Sequence, residues 1–289
     1  MNIRINVTRD GEDTAAMKMS RERLYKLIRL QPEITKKLRV IGSQIDSDQI
    51  ERELAQMLDG DSAEEAYYHL DTVFQGDTDH LKMLYCQMEC ACRIYDRYLE
   101  KNIPDTIYID TMKCFTRFIE ECDKKNGRMF FDRGWWTYRQ VSMNLFRIGA
   151  LEYQFKKYDG ENVIAIHIPS DADFSKESVD MSIEQADLFF KTYYRNYNFC
   201  KYTCNSWLLS QSLKPLLSET SNILSFQRRF RVVAEDREDR SYLEWLFQVL
   251  PDTDIRKLPS VTGLQKKVKE MLLKGGKVGS ACGIMKRDR

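Results

Sequence analysis

The strongest constraint on this chain is one dipeptide, Asp159-Gly160, set between two runs that alternate apolar and polar residues. A type I′ turn needs positive φ at both central residues, which Asp-Gly supplies easily, so the pair predicts a two-residue hairpin. Such a turn leaves no freedom of register. Tyr158 must face Glu161, and counting back sets Phe155 opposite Ile164, Tyr153 opposite Ile166 and Leu151 opposite Ile168. That face is apolar throughout and is expected to be core. On the other face Glu152 falls opposite His167, with Gln154, Ala165 and Val163 beside them. A carboxylate at that distance would orient and charge the imidazole, as an acid/base couple requires; a salt-bridged pair on a partly exposed sheet face has the same spacing.

Period and punctuation organise the rest. Residues 178–194 carry Ile183, Ala186, Phe189, Phe190 and Tyr193 at helical spacing. Residues 199–209 read as a strand of imperfect alternation, and 213–226 as a helix with Pro215 in its first turn. Residues 230–234 and 242–249 read as a closing hairpin across the charged loop 235–240. An amphipathic helix over 263–274 ends at Gly275-Gly276, so the glycines from Gly275 to Gly279 follow a helix instead of opening one and read as a C-cap, not a phosphate loop.

The first half is helix after helix: 20–30, interrupted by Pro32; 47–58, with Ser47 as N-cap; 63–74; 79–100; and 106–122, stopped by Asn126-Gly127. The stripe of Leu81, Leu84, Tyr85, Met88, Cys92, Tyr95 and Leu99 marks the fourth as a core helix. Short loops between them imply a compact all-α domain. Phe130, Phe131, Trp135, Trp136 and Tyr138 then crowd around Arg128, Arg133 and Arg139, a mixture that packs the junction of two bodies and that also suits stacking on bases. Residues 141–146 are expected to continue as a short helix. The fold class is α+β: an all-helical domain over residues 1–130, followed by an α/β domain over 131–289.

Charge narrows the function. Basic side chains number 45 and acidic ones 44, a net charge of +1 that supplies no field for nucleic acid. The opening MNIRINVTRDGED has no apolar signal core, and no stretch nears the roughly 18 apolar residues of a membrane span. A cytoplasmic protein with no membrane or nucleic-acid partner is expected, its eight cysteines reduced. Cys90 and Cys92 point apart on a helix, and no nearby pair completes a set with Cys86 and Cys90, so no metal is expected.

Five strings, FDRGWWTYRQVSMNLFRIGALEYQF, IHIPSDADFS, CNSWLLS, SNILSFQRRF and LPSVTGLQKKVKEMLLKGGKVGSACGI, are similar to those of the two-domain bacterial N-acyltransferases. That family joins a helical N-acyltransferase N-terminal domain to a GNAT-like C-terminal domain, and the element order from Ile148 onward also resembles the second part of the GNAT fold. The resemblance covers essentially the whole chain, its informative strings lying from Phe131 onward. It implies a mixed, mostly antiparallel sheet. It also implies transfer of an acyl group from a thioester, acyl-CoA or acetyl-CoA, to an amine on a small molecule or peptide, in a cleft between the domains. Strand 163–168 would splay from 199–209, pantetheine would bond into the gap beside Ile166 and Ile168, and the pyrophosphate would meet the start of the next helix at Ser170, Asp171, Ala172 and Ser175.

Here the chain departs from the family. Its loop from Ser170 to Ser175 has two carboxylates, Asp171 and Asp173, and no glycine, so repulsion of phosphate is expected unless both turn away or cap the helix. The helix after the splayed strand also lacks the tyrosine general acid frequent in GNAT enzymes, leaving Ser218, Ser221 and Asn222. For the chemistry Glu152 and His167 stand as base. Cys204 and Ser206 stand as nucleophile or proton donor, although a buried structural thiol is the favoured reading of Cys204. A catalytically silent GNAT-like binding module is the alternative function. An aminoacyl transferase drawing on charged tRNA is disfavoured by the near-neutral charge.

Overall fold

A computed structural model describes residues 18–250 and 252–287; the opening MNIRINVTRDGED lies outside them. The helical half contains α1 (Arg21–Leu27), α2 (Pro32–Gly42), α3 (Ser47–Met57), α4 (Ala63–Val73), α5 (Leu81–Glu100), α6 (Asp105–Met112), α7 (Cys114–Asn126) and α8 (Gly134–Val141). There follow β1 (Leu145–Ile148), β2 (Leu151–Tyr158), β3 (Glu161–His167), α9 (Lys176–Tyr193), β4 (Lys201–Ser206) and α10 (Asn222–Gln227). The chain then forms β5 (Arg231–Asp236), α11 (Ser241–Phe247), α12 (Gly263–Leu273) and β6 (Ser280–Lys286).

Pro32 does more than interrupt the first helix. It opens α2 at a position where the missing N–H has no intrahelical partner to lose. The N-cap of α3 is Asp46, which accepts from the backbone N–H of Asp48, in place of Ser47. Residues 106–122 form two helices, α6 and α7, and Gly127 ends the second at φ 64. The long α5 is the hub: α1, α2, α3, α6 and α8 pack against it, and Cys86, Cys90 and Cys92 are buried there as free thiols.

The sheet order is β1-β2-β3-β4-β6-β5, and only the β3–β4 pair is parallel. The hairpin has the counted register, including Tyr153↔Ile166, Phe155↔Ile164 and Glu152↔His167, with Asp159 and Gly160 both at positive φ. Helix α9 covers the apolar face: Phe190 meets Phe155 and Tyr153, and Ser182 Oγ lies 2.9 Å from Tyr153 Oη. The opposite face, expected to be partly exposed, is covered by the helical half. Glu152 and Gln154 are 3% and 8% exposed, and the face meets α7 through Arg117 and α8 through Trp136. A sheet covered on both sides leaves any charge on it in need of a partner.

From residue 141 onward five expectations differ. Residues 141–146 are not a helix; α8 ends at Val141 and β1 follows. Strand 199–209 shortens to β4 because the chain turns into 3₁₀ helix at Trp207–Leu209. Residues 213–226 divide between the 3₁₀ helix Gln211–Leu216, which contains Pro215, and the short α10. Residues 242–249 form α11, not a strand: Tyr242, Leu243 and Phe247 are buried on one side of a helix. Strand β5 instead pairs with β6, a run for which no strand was expected. Gly275 and Gly276 do end α12, their N–H groups turning back to Leu272 O and Met271 O, both at 3.0 Å.

Candidate active site

The site begins where two parallel strands part. Strands β3 and β4 pair at only Ile164↔Tyr202 and Ala165↔Thr203. Beyond these, β4 stays with β6 as far as Ser206, while β3 stays with β2 as far as His167. Ile166 and His167 therefore lie beyond the last β3–β4 pair on one side, and Cys204, Asn205 and Ser206 on the other. Between the parted edges the ladder stops, and backbone N–H and C=O groups there need other partners.

The loop from Ile168 to Ser175 closes the same end. Ser175 caps α9, its Oγ accepting from the Ser178 N–H. Asp173 reinforces the cap: it accepts from the Ser175 N–H at 3.0 Å and from the Ser178 hydroxyl at 2.5 Å, and these bonds hold its carboxyl below the ordinary range. Asp171 turns the other way, accepting from Arg147 Nη1 at 2.9 Å and Arg117 Nη1 at 3.3 Å. Burial pushes its pKa up, but the two guanidiniums outweigh that and hold it low. Ser170 is exposed and donates to Glu121, and the Ala172 N–H returns to Pro169 O at 3.0 Å. The two carboxylates thus meet the conditions under which a glycine-free loop tolerates a phosphate: one caps a helix and the other is neutralised in an ion pair.

Glu152 and His167 face each other in the backbone ladder, yet their side chains take different partners. Arg117 Nη2 donates to Glu152 Oε1 at 2.7 Å, with 10% and 4% of the two side chains exposed. His167 Nε2 lies 2.9 Å from Gln154 Oε1, and its ring meets Trp136 edge-on at 4.8 Å. Desolvation, then the charges of Lys156 and Arg139, pull the imidazole down to about 3, so it is neutral at physiological pH. The expected charged couple is therefore replaced by two separate pairs, because α7 delivers a buried guanidinium to the carboxylate.

The other expected residues fall on both sides of the gap. Cys204 is 1% exposed, and burial pushes its thiol pKa up, against thiolate chemistry near neutrality. Ser206 Oγ accepts from the Leu208 N–H at 3.1 Å and caps the 3₁₀ turn. Ile166 is buried and Ile168 partly so. Ser218 and Ser221 belong to the turn before α10, where the Ser221 N–H bonds Ser218 O at 2.9 Å. Arg117, Arg147 and Gln154 are site residues that sequence reasoning did not single out. Trp136 and Arg139 carried a signal in the aromatic and arginine cluster; Arg117, one arginine on an amphipathic helix, carried none.

Among the described residues no group of three or more His, Cys, Asp or Glu side chains could hold a metal ion. No helix among them is long and apolar enough to cross a membrane. A concavity of about 500 Å³ lies on the helical half, lined by residues such as Arg21, Tyr25, Tyr85 and Arg93; none of the gap residues lines it. Its three arginines are already paired, Arg21 with Glu89, Arg39 with Glu22 and Arg93 with Glu51, whereas the end of the β3–β4 ladder stands beside a helix N-terminus.

Residues 19–143 match the N-acyltransferase N-terminal domain, and residues 145–285 match the GNAT-like C-terminal domain. Among solved structures, an acyltransferase in complex with decanoyl-CoA and teicoplanin is similar over 92% of this chain and 87% of that one, at 18% identity and a TM-score of 0.73. A mutant acyltransferase in complex with octanoyl-CoA has the same coverage and identity with a TM-score of 0.74. An acyltransferase in complex with decanoyl-CoA is similar over 93% of this chain and 100% of that one, at 19% identity and a TM-score of 0.69. These likenesses establish a shared fold. No curated protein matches the chain.

Proposed function

Because the chain belongs to the family that joins an N-acyltransferase N-terminal domain to a GNAT-like C-terminal domain, we propose that it transfers an acyl group from acyl-CoA to an amine. The observation that carries the reading is the parting of β3 from β4 directly before the N-terminus of α9. Pantetheine amides bond to the unpaired backbone about Ile166 and Ile168, and the pyrophosphate meets the positive end of α9, an 18-residue helix whose first N–H groups have no intrahelical acceptor. Acyltransferase relatives of the same fold solved with decanoyl-CoA and octanoyl-CoA support this donor. The acceptor is an amine on a small molecule or peptide; the relative solved with teicoplanin supports a cleft open to a large one.

The amine enters beside His167 and Trp136, which stay partly exposed where the helical half covers this sheet face. Its lone pair attacks the thioester carbonyl, the tetrahedral intermediate collapses, and the C–S bond breaks. Nitrogen loses one proton and the departing CoA thiolate gains one, so amide and free thiol form without a further reactant. Neutral His167, oriented by Gln154, accepts a hydrogen bond from the amine and holds its lone pair toward the carbonyl, while the amine proton goes to the departing thiolate. Glu152 acts through Arg117 on the frame of the site, not on the amine.

The test is to incubate the purified protein with decanoyl-CoA and a panel of small-molecule and peptide amines. Expected is release of free thiol in step with an amide product of the acyl mass. Absence of thiol release, together with no thermal stabilisation by CoA or any acyl-CoA, would assign the chain to the silent binding modules instead.

A further inference from the structure

We propose that Asp171, clasped between Arg147 and Arg117, sets the shape of the glycine-free loop for the phosphates of acyl-CoA, making both arginines positioning residues for the donor. The inference rests on the acyl-CoA reading above and goes beyond it, since it assigns donor affinity to side chains of β1 and of the helical half.

A phosphate-binding loop must bring backbone N–H groups close to the anion, and glycine usually permits this by removing side chains and widening the range of φ. The stretch from Ser170 to Ser175 has no glycine, so its shape must be imposed from outside. Each end is pinned. At the α9 end Asp173 and Ser175 bond the first turn of the helix. At the β3 end Asp171 Oδ1 is shared by Arg147 and Arg117. Both guanidiniums are themselves fixed. Arg147 Nε donates to Gly149 O at 2.7 Å, and the Arg147 backbone N–H donates to Thr111 Oγ1 on α6 at 3.0 Å. Arg117 is locked on Glu152, and Glu121, one turn further along α7, accepts from Ser170.

Charge follows the same plan. Among the described residues the one carboxylate paired with Arg147 is Asp171, so this cation cancels the negative charge that would otherwise stand beside a phosphate. The clasp also joins the donor loop to α7, so the half that faces the acceptor sets the donor site.

A phosphate repelled by Asp171 and a loop shaped by Asp171 predict opposite results for one substitution. Asp171→Asn removes the charge and weakens the clasp. If repulsion dominated, acyl-CoA would bind more tightly; the clasp requires weaker binding. Arg147→Met should act in the same direction, and Arg147→Lys, which keeps the charge without the fork, should recover part of the loss. For Asp171→Asn and Arg147→Met, Kd for CoA and KM for decanoyl-CoA should rise roughly tenfold, the scale of one charge-assisted contact. KM for the amine and the melting temperature should change little. Decanoyl-pantetheine, which lacks the nucleotide phosphates, should show no rise in KM. Arg117 is left intact, because removing it strands buried Glu152.

Wild-type protein that fails to bind CoA would overturn the acyl-CoA reading and this inference with it. Normal wild-type binding would overturn the inference alone if Asp171→Asn binds CoA as well or better. So would an equal rise in KM for decanoyl-pantetheine, or losses that merely follow the melting temperature.

Discussion

His167 is where residue chemistry departs most from sequence expectation. Its neutrality has a measurable consequence. Its folded pKa of about 3 lies below its ordinary value of 6.5, so the unfolded chain takes up a proton that the folded one refuses. The stability held above pH 6.5 is therefore lost as pH falls toward 3, the sign expected when the unfolded state binds more protons. Urea titrations across that window should show a steeper decline for the wild type than for His167→Gln; parallel curves would mean that the folded imidazole takes up its proton as readily as the unfolded one. Arg117 and Glu152 make the second test. Each is buried, so removing one alone, as Arg117→Met or Glu152→Gln, should cost about 3–5 kcal/mol, and the double substitution less than the two singles together. A chemical-denaturation cycle measures this, and additive losses would show the pair to be uncoupled. The backbone pairing of Glu152 with His167 was legible because a two-residue turn admits one register. Their side-chain partners were not, because α7 approaches from more than thirty residues upstream and its amphipathic stripe does not say which sheet face it meets.

At the scale of elements, turn chemistry was the reliable signal and short apolar runs were not. Asp159-Gly160 set the hairpin, Gly127 ended α7, and Gly275-Gly276 ended α12. Residues 242–249 failed as a strand because an apolar run of that length satisfies either period, and burial of Tyr242, Leu243 and Phe247 favours the helix. Once α11 takes those residues, β5 needs another partner, and the small residues of β6 supply it. Ala281, Gly283 and Cys282 gave no strand propensity to read, yet Gly283 is needed where Phe230 and Leu209 close over the sheet. Entry to β6 depends on Gly279, at φ +69, where an added Cβ would lie 2.4 Å from Asp236 O. Gly279→Ala should therefore destabilise the protein by about 1–3 kcal/mol through backbone strain and overpacking. A thermal melt no lower than wild type would show that β6 can enter the sheet another way.

For the whole molecule, composition and punctuation separated a helical half from an α/β half, and the mixed sheet followed from the family resemblance. The intimacy of the two halves was not visible. One hydrophobic core runs from Leu24 in α1 through Tyr98 and Phe146 to Ala281 in β6, so the halves should unfold together in a single calorimetric transition. Two resolved transitions would show that the polar face of the sheet is a loose contact. That face joins the helical half to the parted strands, and the proposed function rests on the parting. The most direct test is a crystal structure with a non-hydrolysable decanoyl-CoA analogue. Expected is pantetheine between the C-terminal halves of β3 and β4, with its pyrophosphate at the first turn of α9. Density for the analogue in the concavity beside Arg21 and Tyr85, with the gap closed by side chains, would contradict it.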